Sequence, residues 1–100
     1  MAITGSWNVR ISTPIGTQFI VLELAEHGGV VEGIAKSVAE STPLINPVLN
    51  VNRLTWQQSI TKPIRLNLIF DVLIDGDKLT GTSKAGVLPA SKVTGTRIVG

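Results

Sequence analysis

Ile3-Thr4-Gly5-Ser6-Trp7-Asn8-Val9-Arg10 is the stretch that decides the fold. After the glycine it alternates apolar and polar residues, which is typical of a half-buried β-strand. A similar stretch, Leu54-Thr55-Trp56-Gln57-Gln58-Ser59-Ile60, occurs in the second half of the chain. Its tryptophan lies 49 positions after the first one. We therefore predict an internal repeat with halves at about residues 4–53 and 54–100.

The composition favours a single all-β domain. The 100 residues are 43% hydrophobic and 16% charged, and Gly and Pro occur at short intervals. Eight antiparallel strands that close into an up-and-down barrel would remove the exposed sheet edges. We predict such strands at about residues 4–13, 17–26, 30–37, 48–52, 54–62, 64–75, 78–84 and 92–99.

Alternation along each strand predicts which side chains face the barrel interior. Trp7 and Trp56 anchor the first strand of each half, and Leu66 to Ile74 supplies an alternating apolar face. The 49-residue offset carries that face onto the second strand. The predicted inward residues are Trp7, Val9, Ile11, Phe19, Val21, Glu23, Trp56, Gln58, Ile60, Leu66, Leu68, Phe70, Val72 and Ile74.

Two consequences follow from this assignment. The outer faces of strands 2 and 6 would be too apolar for water, which predicts a twofold homodimer; its interface would use Ile20, Leu22, Leu24, Ile69 and Leu73. A flattened sandwich with both faces partly covered is the alternative. An inward Glu23 would be costly unless it is paired with Arg97 or Arg53, or acts as a functional acid.

The connections predict one closed and one open end. Tight turns at 26–29, 52–53 and 75–77 would close one end, and longer proline-containing connections would form a mouth at the other. Binding residues tend to lie on such loops. The predicted mouth residues are Pro14, Ile15, Leu44, Ile45, Pro63, Ile64, Val87, Leu88 and Pro89.

Charge and composition argue against several function classes. The net charge is +2 and the nine basic residues are scattered along the chain, so we expect no nucleic-acid partner. With no cysteine and a lone His27, we expect no metal site and no cofactor. No apolar run reaches the length of a membrane span, and no signal peptide is recognisable, so we expect a cytoplasmic protein without a membrane partner. We interpret His27 as an exposed turn residue.

Gly5-Ser6-Trp7 together with Arg97 resembles the calycin pattern of lipocalins, fatty-acid-binding proteins and avidins. Ile3-Thr4-Gly5-Ser6-Trp7 is especially similar to the start of an avidin. The resemblance implies a meander barrel in which Trp7 closes the floor and Arg97 packs across it through a cation–π contact. Biotin binding is not implied, because the avidin site uses several tryptophans and only Trp56 remains once Trp7 forms the floor.

Three hypotheses for function remain. The first is a barrel that binds an apolar or aromatic small molecule inside, through Trp56, Phe19, Phe70, Gln58, Ile60, Leu68 and Asn50. The second is a cofactor-independent isomerase, cyclase or hydratase with Glu23 as acid or base and Gln58 as hydrogen-bond donor. The third is a structural or assembly domain with a filled core.

Overall fold

The computed structural model describes residues 3–14, 16–61 and 65–98. Their secondary structure is β throughout, with tight turns between most strands. The strands are β1 (Gly5–Thr13), β2 (Gly16–His27), β3 (Val30–Lys36), β4 (Ser41–Pro43), β5 (Ile45–Asn50), β6 (Arg53–Ile60), β7 (Leu66–Asp75), β8 (Lys78–Ala85) and β9 (Ser91–Arg97).

All nine strands belong to one antiparallel sheet with the order β4-β3-β2-β1-β9-β8-β7-β6-β5. Each half of the chain is a meander, and the two halves join where β1 pairs with β9, with Trp7 opposite Arg97. The sheet curls until its two edges meet, where β3 contacts β5 and β4 contacts β6. The result is a nearly closed up-and-down barrel, which confirms the predicted fold class.

The expected count of eight strands is wrong, because the predicted connection at 37–47 contains all of β4 and the first residues of β5. β4 pairs with β3, and after Leu44 the chain crosses to pair as β5 with β6. The two short strands thus divide one position of the barrel wall. Asn46 has a φ of 50° and Pro47 lacks an N–H, so the ladder is interrupted by a bulge between Ile45 and Val48.

A side-chain carboxylate bridges the seam, which is where the two edges of the sheet meet. Glu40, in the turn before β4, accepts hydrogen bonds from the Thr61 backbone N–H and hydroxyl, both at 2.8 Å. The Leu44 N–H also donates to the Gly33 carbonyl at 3.0 Å. The Leu44 bond continues the β3–β4 ladder, and the Glu40 carboxylate links the turn before β4 to the residue after β6 across the seam.

The core confirms most of the predicted inward faces. Trp7, Val9 and Ile11 on β1 are buried, as are Trp56 and Gln58 on β6. On β7 the inward face is buried from Phe70 to Ile74 and partly buried at Leu66 and Leu68.

The predicted face of β2 is wrong. Phe19 is 64% exposed, whereas Ile20, Leu22 and Leu24 are buried. The register explains the error: β1 places Trp7 opposite Leu22, and β6 places Trp56 opposite Phe70. The 49-residue offset predicts that Val21 corresponds to Phe70, but the residue that faces Trp7 is Leu22. An error of one residue assigns every side chain of a strand to the wrong face.

The same correction changes the predicted dimer surface. Ile20, Leu22 and Leu24 lie in the core, so they cannot form an outer patch. Ile69 and Leu73 do lie on the outer face of β7, where both are more than half exposed. Only a small part of the expected apolar surface is therefore present.

Inward glycines allow adjacent strands to approach closely. A Cβ built on Gly81 would lie 2.0 Å from the carbonyl oxygen of Asp71, and one built on Gly33 would lie 2.5 Å from that of Glu23. Glycine in a strand interior often marks such a close approach. The missing side chains at these glycines allow the sheet to curl tightly around the buried Trp7 and Trp56.

Candidate functional site: the mouth end of the barrel

The floor of the barrel is sealed by Trp7. Its indole N–H donates to the carbonyl of Ile3 at 3.1 Å, and the Ile3 side chain is fully buried. The Arg97 guanidinium lies 4.4 Å from the ring centroid of Trp7 and also donates to Asp77 and to the Thr4 carbonyl. The expected cation–π contact is therefore present, and this end of the barrel is closed.

The middle of the barrel is filled by an aromatic stack. The rings of Trp56 and Phe70 are parallel within 4° with centroids 4.6 Å apart, and neither side chain is more than 1% exposed. Both were predicted to bind a ligand. Their place in the stack makes them the base on which a ligand at the mouth would rest.

Gln58 is the next inward residue of β6 after Trp56, on the side of the predicted mouth, and is only 5% exposed. Its side-chain oxygen accepts a hydrogen bond from the Trp56 indole N–H at 3.2 Å. Because an indole nitrogen can only donate, this contact fixes the orientation of the Gln58 amide. The amide nitrogen Nε2 then points away from Trp56.

The Nε2 group of Gln58 has no hydrogen-bond partner in the part of the chain that the structure describes. Within that part, no fully inaccessible side-chain nitrogen or oxygen is without a partner either. The two observations agree only if Nε2 keeps some solvent-accessible surface. A buried amide that is free to donate on one side is a suitable anchor for a polar atom of a ligand.

Half-buried apolar side chains surround this donor. Leu68 lies opposite Gln58 in the register and Ile60 lies opposite Leu66. All three apolar residues keep part of their surface accessible, unlike the sealed residues nearer the floor. We call the group of inward residues formed by Gln58, Ile60, Leu66 and Leu68 the mouth cup. The buried hydroxyl-bearing residue Ser83 lies one layer deeper, opposite Phe70.

The predicted rim residues do not form one apolar ring. Leu44 is buried in the wall, whereas Pro14, Val87, Leu88 and Pro89 are exposed. Ile45 is also exposed, on β5. Ile15, Pro63 and Ile64 lie outside the described residues.

Glu23 lies on the outer surface, away from Gln58. Its carboxylate is 45% exposed and forms an ion pair with Lys36 at 2.9 Å. Neither of its expected partners is used, because Arg97 binds Asp77 and Arg53 binds Asp71. The structure therefore places the two predicted catalytic residues on opposite faces of the sheet.

Two further predicted positions lie outside the mouth cup, and Asn52 has a structural role. Phe19 is on the outer surface, where the Arg10 guanidinium lies 5.4 Å from its ring centroid. Asn50 is exposed at the end of β5. The Asn52 carbonyl accepts the Ile74 N–H at 2.8 Å in the turn before β6, so its backbone holds the closed end.

The ion pair between Arg53 and Asp71 shifts the pKa values of both side chains. Arg53 Nε donates to Asp71 Oδ1 at 2.8 Å, and a second guanidinium nitrogen donates to Oδ2. These hydrogen bonds lower the pKa of Asp71 below its ordinary value and raise the pKa of Arg53. The pair lies on the outer surface and braces β6 against β7.

A groove of about 840 Å³ crosses the outer face of the barrel near Arg10. The outward residues of β8, β9, β1 and β2, with the end of β3, form its lining. We call it the outer groove. Sequence reasoning missed it because its residues come from five separate strands, and only the register brings them together.

No protein-family model and no curated protein sequence matches this chain. Among the described residues, no group of three or more His, Asp or Glu side chains is placed to hold a metal ion. The described part of the chain also contains no helix of the length and hydropathy that a membrane span requires.

Proposed function

We propose that the protein is a non-catalytic binding module whose mouth cup takes an apolar or aromatic small molecule that carries a hydrogen-bond acceptor. The observation that carries the proposal is the free Nε2 donor of Gln58, buried beside Trp56 and Leu68. A ligand acceptor would complete the bonding of this amide, and the apolar walls would supply the remaining affinity.

A pair of nearly isosteric probes tests this proposal. 2-Acetylnaphthalene offers a carbonyl acceptor, whereas 2-ethylnaphthalene has none. Binding is followed on the two indole N–H signals in a ¹⁵N–¹H spectrum. We expect the Trp56 signal to shift and the Trp7 signal to stay in place, with the acetyl compound binding about threefold to tenfold more tightly.

Gln58→Leu and Gln57→Leu form a matched pair of variants, because the two residues are adjacent and face opposite sides of β6. Gln58→Leu should bring the affinity ratio of the two probes close to one, and Gln57→Leu should leave it unchanged. Near-ultraviolet circular dichroism checks that the Gln58 variant remains folded. If neither probe shifts the Trp56 signal, the mouth cup is not a binding site.

That negative result would favour the second candidate, a structural or assembly domain. Its support is the filled middle of the barrel, where Trp56 and Phe70 leave no room between their rings. A homodimer remains a proposal on the exposed Ile69 and Leu73 alone, and sedimentation equilibrium of Leu73→Lys against the unchanged protein tests it. The enzyme alternative receives no such support, because Glu23 and Gln58 do not share a face.

We also propose that the barrel is calycin-like and built from two repeats. The Arg97–Trp7 contact supports the first part. The repeat is supported by equivalent pairs of facing residues, Trp7–Leu22 and Trp56–Phe70. Trp56 lies 49 positions after Trp7, and Phe70 lies 48 positions after Leu22. An experimental structure superposed on itself by these offsets tests the repeat.

A further inference from the structure

The outer groove brings together cations that are far apart in the sequence. One row of facing residues runs across five strands from Lys78 through Thr96, Asn8 and Val21 to Lys36. Neighbouring strands lie about 4.8 Å apart, so this row spans roughly 19 Å before curvature shortens it. A parallel row places Arg10 between Thr94 and Phe19.

The positive charge in the groove is only partly compensated. Lys36 is paired with Glu23 at 2.9 Å. Asp75 lies opposite Lys78 across the β7–β8 hairpin. In the described part of the chain, however, neither Arg10 nor Lys78 has a carboxylate oxygen within 4.0 Å. Two cations that are free to bind an anion therefore face one groove.

The two ends of the groove differ in polarity. Thr80, Thr94 and Thr96 bring hydroxyl groups to the end near Lys78. Phe19, Val21 and Val38 supply apolar surface at the other end, where Lys36 is paired with Glu23. Arg10 lies between these ends, and its cation–π contact with Phe19 holds one face of the guanidinium while the N–H edges stay available.

We propose that the outer groove is a second binding site, separate from the mouth cup, for a small organic anion with an aromatic or aliphatic body. Its anionic group lies between Arg10 and Lys78 and accepts hydrogen bonds from the threonine hydroxyls. Its apolar body covers Phe19 and Val21. Charge-assisted hydrogen bonds supply the orientation, and burial of the exposed phenyl ring adds affinity.

The same features favour a small molecule over a polyanion. Surfaces that bind single-stranded nucleic acid without sequence preference combine a continuous cationic track with several stacking aromatics. Here one phenyl ring serves the whole groove, and the lysine beyond it, Lys36, is already paired with Glu23. An occupant of limited length with one charged end fits this arrangement.

Two dyes of similar shape and different charge test the proposal. 8-Anilinonaphthalene-1-sulfonate is anionic, and N-phenyl-1-naphthylamine is its neutral counterpart. Backbone amide signals of Asn8, Thr80, Thr94 and Thr96 report binding in the groove, and the Trp56 indole signal reports binding in the mouth cup. We expect the anionic dye to shift the groove signals with at least fivefold higher affinity, and 500 mM salt to weaken its binding.

Arg10→Gln and Lys78→Gln should each weaken the anionic dye about fivefold or more in the groove. Lys84→Gln is the matched control, because Lys84 lies on the outer face of β8 and outside the groove. Equal affinity of the two dyes, or an equal effect of the control, would overturn the charge assignment. Shifts confined to Trp56 would overturn the site, and tighter binding of a short oligothymidylate would overturn the assignment to a small molecule.

Discussion

Gly81→Ala is the substitution that most directly tests how the sheet curls. Gly81 lies on β8 opposite Val72 of β7. The added methyl carbon would lie 2.0 Å from the Asp71 carbonyl oxygen and 2.6 Å from the Val72 Cα atom. Both of these are backbone atoms, so no side-chain rotation can relieve the clash. β7 and β8 would have to separate by more than 1 Å at this point.

We expect Gly81→Ala to lower the free energy of unfolding by about 3 kcal/mol, the upper end of typical overpacking costs. A domain of this length has a total stability of about 5–15 kcal/mol, so the loss is a large fraction. With a shift of roughly 4–8 °C per kcal/mol, the melting temperature should fall by roughly 12–24 °C. Urea unfolding followed by tryptophan fluorescence and thermal circular dichroism measure the two quantities.

Gly76→Ala separates this steric cost from ordinary backbone strain. Gly76 has a φ of 60° but open space where a Cβ would be placed, so its substitution should cost only about 1–2 kcal/mol. Thr82→Ala, at an exposed position next to Gly81, should cost less than about 1 kcal/mol. A Gly81→Ala protein within about 0.5 kcal/mol of the unchanged one, or less affected than Gly76→Ala, would refute the close approach of β7 and β8.

Three further outcomes are expected. Glu40→Ala removes both hydrogen bonds to Thr61, so it should cost about 1–3 kcal/mol and speed amide hydrogen exchange in β4 and β5 first; uniform exchange across the sheet would contradict a seam at this place. Leu22→Ala should cost about 2–5 kcal/mol and Phe19→Ser less than about 1 kcal/mol in urea unfolding, and the reverse order would restore the rejected face of β2. The pKa of Asp71 is lower in the folded protein than in the unfolded chain, so its ionised carboxylate stabilises the fold by less than about 1 kcal/mol. This stabilisation is present above the unfolded pKa of about 3.9 and is lost as the pH falls through the folded pKa. The difference in stability between the unchanged protein and Asp71→Asn should therefore vanish in acid, and a difference that does not change with pH would contradict the ion pair.

The inward faces of β1 and β6 could be predicted because apolar and polar residues mostly alternate along them, and that of β7 because every second residue from Leu66 to Ile74 is apolar. β2 could not, since Phe19-Ile20-Val21-Leu22 is apolar on both faces and its side was inferred from the repeat alone. The residue that faces Trp7 is Leu22, which lies 48 positions before Phe70, so the 49-residue offset between the tryptophans does not extend to β2. Register depends on turn geometry, which neither residue type nor spacing defines at that position.

The site was only partly predictable for a related reason. Gln58 could be placed inward from alternation, but the free direction of its amide depends on the distance to Trp56, which no pattern encodes. The outer groove depends on pairing between β1 and β9, and Arg10 and Lys78 are 68 positions apart in the chain. A scattered sequence of charges can still form one patch when a barrel closes.

The pairing of β1 with β9 also determines when the chain can complete its fold. Trp7 and Arg97 face each other although 90 positions separate them. Forming so distant a contact requires the closure of a very long loop, and all-β proteins with such contacts fold in milliseconds to seconds. Until Ser91–Arg97 has been synthesised, one edge of β1 stays unpaired and the Trp7 ring lacks its guanidinium cover. A nascent chain therefore exposes one hydrogen-bonding edge of β1 until β9 has been synthesised and can pair with it.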